Sequence, residues 1–255
     1  MEFEKDRGIV MSGHSKWNNI KRKKEKTDSQ KAKIFTKIGR EMAIVVRQGG
    51  PDPAANAKLR DCIAKAKANN VPNDNIDRII KKAAGEQDGK TYEELTYEGY
   101  GPQGIAVVVE ALTDNRNRTA GDLRHYFDKN GGNLGQNGSV MFLFNRMGVL
   151  LVEAGAQSEE QIMEDALEAG AEDFNAQDGG FEITTDPNEF STVRDALENK
   201  GYTFASAQIE YVPTTTTALN DEESIFKMNR LIEMLEENDD IQAVWHNWEN
   251  PEDGE

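Results

Sequence analysis

Apolar positions change their period once along this chain, and the change divides it. Between Asp28 and Gly49 the residues Ala32, Phe35, Ile38, Met42 and Val45 recur every three or four positions, the inward stripe of an amphipathic helix. Asp28 or Ser29 can cap its start and Gly49-Gly50 can end it. Asp52-Pro53 reads as N-cap and first position of a second helix, with Leu59, Ile63 and Ala66 inward and an end near Asn69-Asn70. Pro72 opens a third, capped by Asn73 or Asp74, packed through Ile76, Ile79, Ile80 and Ala83, and stopped by Gly85. Residues 1–90 are therefore predicted to form an all-helical unit.

Beyond the turn-rich Gly99-Tyr100-Gly101-Pro102-Gln103-Gly104, the apolar runs become strand-like. They begin with Ile105 to Val109, and a helix follows over 118–129, closed by Gly131-Gly132. Val140 to Phe144 and Val149 to Val152 read as two strands separated by Asn145 to Gly148. From there the order is strand (149–153), helix (158–169), strand (171–176), strand (180–185), helix (187–200), strand (206–212), one complete βαββαβ ferredoxin-like unit. A linker with four threonines leads to a helix carrying Ile225, Met228, Leu231, Ile232 and Leu235, and to a strand from Ile241 to Trp245. These last two elements have no partner in the unit just completed, whereas the strand, helix and strand of 105–144 lack a helix and strand. The predicted fold class is thus α+β and multidomain: an N-terminal helical domain and two ferredoxin-like α/β domains, the second inserted into the first. The domains are 1–90, 91–146 with 213–250, and 147–212.

Charge follows the same division. Residues 11–90 hold 19 Lys+Arg against 9 Asp+Glu, and residues 91–255 hold 9 against 34, within a formal net charge of −16. Screening over about 8–10 Å lets a cationic end meet a polyanion while the acidic part points away, so the overall sign does not exclude nucleic acid. Charge throughout Met1–Val10 marks an unstructured arm, or residues upstream of a start at Met11. One cysteine, Cys62, allows no internal disulfide, and apolar runs are far shorter than the roughly 18–20 residues of a membrane span; a cytoplasmic protein is expected.

Candidate chemistry is thin outside the basic end. Gly99 to Gly104 matches G-x-G-x-x-G but precedes a strand instead of opening a helix, and Pro102 lacks an amide donor, so a dinucleotide site is rejected in favour of a turn aiming Tyr97 and Tyr100. No phosphate-binding G-x-x-x-x-G-K-[ST] loop occurs. His14, His125 and His246 lie far apart with no metal-ligand spacing, Cys62 reads as core, and the carboxylates fall on solvated helix faces. No enzyme, no metal and no cofactor is expected. Asn117-Arg118-Thr119 and Asn137-Gly138-Ser139 match glycosylation sequons only formally.

Gly13 to Lys26 differs in kind: six of its fourteen residues are cationic and surround His14 and Trp17, joining phosphate attraction to rings able to stack on a base. Lys16, Trp17, Lys21, Arg22, Lys23 and Lys24 are the candidate contacts, extended along the next helix by Lys31, Lys33, Lys37, Arg40 and Arg47. Arg116 and Arg118, in Thr113-Asp114-Asn115-Arg116-Asn117-Arg118-Thr119, either engage phosphate or stand solvated beside helix caps. Gly131 to Ser139 reads first as a flexible connector.

Met11-Ser12-Gly13-His14-Ser15-Lys16-Trp17, Gly49-Gly50-Pro51-Asp52-Pro53 with Asn56 and Leu59-Arg60, Tyr97-Glu98-Gly99-Tyr100-Gly101-Pro102, and Thr113 to Thr119 together resemble the YebC/PmpR family over Met11 to about Trp248. Met1–Val10 departs from that family's pattern. The resemblance implies three domains and a non-enzymatic cytoplasmic regulator of gene expression. Bacterial members are commonly described as DNA-binding transcriptional regulators, whereas mitochondrial relatives and some bacterial ones resemble ribosome-associated factors that help translation through proline runs. A lysine-rich head suits phosphate more than base edges, and no zipper signals a dimer, which favours a monomer acting on rRNA, tRNA or the ribosome over promoter DNA. An adaptor that binds a basic protein through the acidic domains is the third alternative.

Overall fold

A computed structural model describes residues 28–85, 92–155, 157–177 and 179–249. The first helices follow the apolar stripes: α1 (Asp28–Gly49), α2 (Ala57–Ala68) and α3 (Asn73–Gly85) enclose a core of Ile38, Met42, Val45, Leu59, Cys62, Ala66 and Ile76. The second helix starts later than its proline suggests. Asn56, not Asp52, is the N-cap: its Oδ1 accepts from the Leu59 amide at 3.1 Å while its Nδ2 donates to the carbonyls of Val45 and Gly50. One buried side chain thus starts α2 and ties it to the end of α1. Asp52 instead stabilises its own turn by accepting from the Ala54 amide.

Two four-stranded antiparallel sheets follow. The first has the order β3-β1-β2-β8, from β1 (Glu93–Tyr100), β2 (Ala106–Thr113), β3 (Asn133–Leu134) and β8 (Ile241–His246), and carries α4 (Arg116–Lys129) and α7 (Glu222–Glu237). The second has the order β5-β6-β4-β7, from β4 (Phe144–Glu153), β5 (Asp173–Gln177), β6 (Gly180–Thr185) and β7 (Phe204–Pro213), with α5 (Glu159–Ala169) and α6 (Phe190–Asn199). Its connectivity, β4-α5-β5-β6-α6-β7, and its strand order are those of a split βαβ unit.

The first sheet corrects the sequence reading in two places. Glu93–Tyr100 is a strand and not part of a turn; only Gly101 to Gly104 turns, with Gln103 and Gly104 at φ of 53° and 80°. Val140 to Phe144 is no strand: Met141–Leu143 forms a 3-10 turn, and Phe144–Glu153 runs unbroken because β7 pairs with it from Phe144↔Pro213 onward. The strand that lies beyond β1 is the short β3, so this sheet is entered through a β1–β2 hairpin and its order, β3-β1-β2-β8, differs from the split βαβ order of the second sheet.

Residues 105–109 are fully buried because β2 is covered on both faces. On one face Ile105, Val107 and Val109 meet Leu123 and Phe127 of α4 and Met228, Leu231 and Leu235 of α7. On the other, Ala106 and Val108 meet Val140, Phe144, Tyr211 and Trp245.

Candidate nucleic-acid interface

The candidate head, Lys16, Trp17, Lys21, Arg22, Lys23 and Lys24, lies outside the described residues. Lys31 and Arg47 are exposed on α1. The intervening cations are engaged within the molecule, which corrects the expectation of a continuous positive face. Lys37 Nζ donates to the Glu236 carbonyl at 2.6 Å, Arg40 donates to the Asp239 carbonyl at 3.0 Å, and Lys33 stands 3.6 Å from Glu237. These acceptors are at the C-terminal end of α7, where unpaired carbonyls and the helix dipole favour positive charge.

Asp240, immediately before β8, holds this junction together. Its Oδ1 accepts from Arg40 at 3.2 Å, and its Oδ2 accepts from Arg118 at 2.7 Å, Thr119 at 2.8 Å and Thr113 at 3.1 Å. Burial alone would raise this carboxyl, but the donations from Arg118 and Thr119 hold it below the usual carboxylate range. The segment from Thr113 to Thr119 therefore resolves into separate roles. Asn115 caps α4 by accepting from the Arg118 amide, Arg118 pairs with Asp240 and with Asp114 at 3.0 Å, and Arg116 is exposed, its carbonyl receiving the Tyr97 hydroxyl at 3.4 Å. Sequence reasoning missed Asp240, whose partners lie more than 120 residues away and leave no local signal.

The glycine-rich loop is pinned, contrary to its reading as a flexible connector. Glu98 on β1 is buried, and its carboxylate accepts from the amides of Gly138 at 2.6 Å and of Val140 and Met141 at 2.8 Å. Burial opposes ionisation, yet these amide donations prevail and keep the carboxyl below its ordinary range. Tyr100 donates to the Ser139 carbonyl at 2.6 Å, fixing the other side.

The helical unit also reaches the second sheet. Arg194 on α6, only 2% exposed, pairs with Asp61 of α2 at 2.7 Å and with Asp195 at 2.8 Å, and Ser191 donates to the same Asp61. Of the titratable groups considered from sequence, Cys62 is buried and its thiol is pushed up by desolvation, so it stays protonated. His125 is exposed, while desolvation pushes His246 down to about 4. Among the described residues no group of His, Cys, Asp and Glu is placed to hold a metal ion, and no helix is long and apolar enough to cross a membrane.

Comparison with known proteins matches two family models in register with this architecture: the TACO1/YebC protein N-terminal domain over residues 15–86, and the TACO1/YebC second and third domain over residues 92–248. The chain belongs to the TACO1/YebC family. Among similar TACO1/YebC relatives are proteins named "Probable transcriptional regulatory protein". That of Ruminiclostridium cellulolyticum is 61% identical over 246 residues, covering 96% of this chain and 99% of the relative. That of Acetivibrio thermocellus is 62% identical over 239 residues, covering 93% and 99%. A crystal structure of a conserved hypothetical protein from Aquifex aeolicus has 47% identity and a TM-score of 0.78, covering 90% of this chain and 94% of that one. The family's two matched segments meet between residues 86 and 92, where the sign of the charge changes.

Proposed function

We propose that this TACO1/YebC protein is a non-enzymatic cytoplasmic regulator of gene expression. It binds nucleic acid through the basic head around Trp17, acting on RNA or the ribosome to assist translation at difficult sequences such as proline runs. The observation that carries this reading is the charge division: 19 basic against 9 acidic residues over 11–90, joined to 9 against 34 over 91–255. A lysine-rich head of this kind gains affinity from phosphate without selecting base edges, which supports RNA or ribosome over an operator. Lys16, Lys21, Arg22, Lys23 and Lys24 meet phosphate, Trp17 stacks on a base, and Lys31 and the exposed Arg116 add weaker contacts; Arg118 acts mainly through Asp240. The protein works as a monomer.

A second reading, promoter-DNA binding, is favoured by the relatives' names, which call them transcriptional regulatory proteins. Ribosome co-sedimentation and promoter binding measured at matched salt separate the two. Ribosome association without sequence-specific promoter affinity supports the first. Specific promoter affinity surviving about 200 mM salt, without ribosome association, overturns it.

The strand order further supports a discontinuous domain of 91–146 with 213–250 and an inserted ferredoxin-like domain of 147–212. Residues 144–213 supply one whole sheet, while β8 returns to pair with β2.

A further inference from the structure

Carboxylates are unevenly placed in the acidic part of the chain. Residues 130–152 contain no Asp or Glu, and neither do residues 211–220, although residues 91–255 hold 34. The fold brings these two acid-free segments together. Phe144 pairs with Pro213 in the β4–β7 ladder, and the Leu143 carbonyl accepts from both the amide and the hydroxyl of Thr214, at 2.8 and 3.1 Å. At this junction the Met141–Leu143 turn presents Phe142, which is 72% exposed. The turn is held from beneath by Glu98 and Tyr100, so the ring sits on a fixed support. Asn137, Asn145, Arg146, Thr214 and Thr215 on the same segments are exposed, and Arg146 is the single basic residue between Lys129 and Arg194.

We propose that this patch is a second contact surface, for single-stranded nucleic acid, with Phe142 stacking on an unpaired base; it rests on the nucleic-acid reading given above. An exposed aromatic ring on a rigid turn offers stacking at little ordering cost, and the exposed amides and hydroxyls suit base edges and ribose hydroxyls. These two segments contribute no carboxylate, and the one beneath the turn, Glu98, is buried and covered by the amides of Gly138, Val140 and Met141, so phosphates meet less repulsion here than on the acid-rich faces of these domains. A duplex keeps its bases stacked inside and offers nothing to Phe142. With one cation at hand, the patch adds affinity that depends little on salt, complementing the salt-sensitive head.

Fluorescence anisotropy of the full chain with a labelled, unstructured RNA of about 12 nucleotides tests this, with a duplex DNA of matched length as a second probe. The variants are Phe142→Ala, Phe142→Tyr, and a head variant in which Lys21, Arg22, Lys23 and Lys24 are all changed to Glu. Phe142→Ala is expected to weaken RNA binding about 5- to 100-fold at about 150 mM salt, without changing the dependence on salt. Phe142→Tyr retains binding, duplex binding is unaffected, and thermal unfolding of Phe142→Ala matches wild type because the side chain is exposed. RNA affinity of Phe142→Ala within twofold of wild type overturns the proposal and leaves Phe142 to a protein contact. Equal weakening toward duplex overturns the stacking assignment. The head variant reports separately: if it alone loses RNA binding, the patch fails and the head reading stands, whereas a wild-type chain that binds no RNA sinks both.

Discussion

Asp240 accepts from Arg118, Thr119 and Thr113 on one oxygen and from Arg40 on the other, so a single carboxylate joins α1, the end of β2 and the start of α4. Asp240→Asn removes the charge from two guanidinium partners. It is expected to cost about 1–3 kcal/mol, the lower part of the range for broken buried pairs because Arg40 and Arg118 retain contact with water. Chemical denaturation at neutral pH measures this, and an unchanged midpoint and slope would remove Asp240 from its role. Because Asp240 and Glu98 are held below the ordinary carboxylate range, their contribution is complete above about pH 4 and is lost as pH falls toward the depressed values. His246 acts at higher pH: at about 4 in the folded chain against about 6.5 unfolded, it stays neutral while the unfolded state takes up a proton. Stability therefore falls as pH drops from about 6.5 to 4, and His246→Gln should flatten that part of the profile. A slope there that the substitution leaves unchanged would contradict the assignment.

The helices were legible in the sequence because a 3.6-residue stripe survives in α1, α3 and α7, and because Pro72 and Gly85 bracket α3. Strands were harder where a site interrupts the pattern. β1 carries the buried Glu98 that holds the loop, and Gly99 beside it, where a Cβ would run into the Phe127 ring and the Asn133 carbonyl. A carboxylate and a glycine at buried positions look like a turn. In β4 the interruption is Gly148, which read as the end of a connector; it lies within the strand, paired with Thr185 and Ile209, and a Cβ there would collide with Thr185 and the Phe190 side chain. Gly148→Ala should therefore destabilise the second sheet by about 1–3 kcal/mol, read as a lower thermal midpoint. A neutral result would show that Phe190 and α6 can move aside. Of the candidate site, the lysine-rich head was evident from composition alone, whereas the tie from Arg118 to Asp240 depended on a contact that spans 122 residues in sequence.

At the scale of the molecule, basic and acidic parts are not merely tethered. Lys33, Lys37 and Arg40 dock on the acidic end of α7, and Arg194 locks α2 to α6, so the helical unit bridges both sheets. The first sheet in turn depends on chain segments far apart: Met228, Leu231, Leu235 and Ile241 complete the core begun by Ile105, Val107 and Phe127. A fragment of residues 91–146 without 219–250 is expected to stay unfolded by circular dichroism and proteolysis, and a stably folded fragment would refute the discontinuous domain. The central claim is that the basic head delivers this molecule to RNA. Crosslinking in cells, followed by sequencing of the bound nucleic acid, tests it most directly, with Lys21, Arg22, Lys23 and Lys24 changed to Glu as the control. The account predicts ribosomal or transfer RNA in the wild-type crosslinks and its loss in the variant; promoter DNA in its place, or RNA crosslinks that survive the charge reversal, would contradict it.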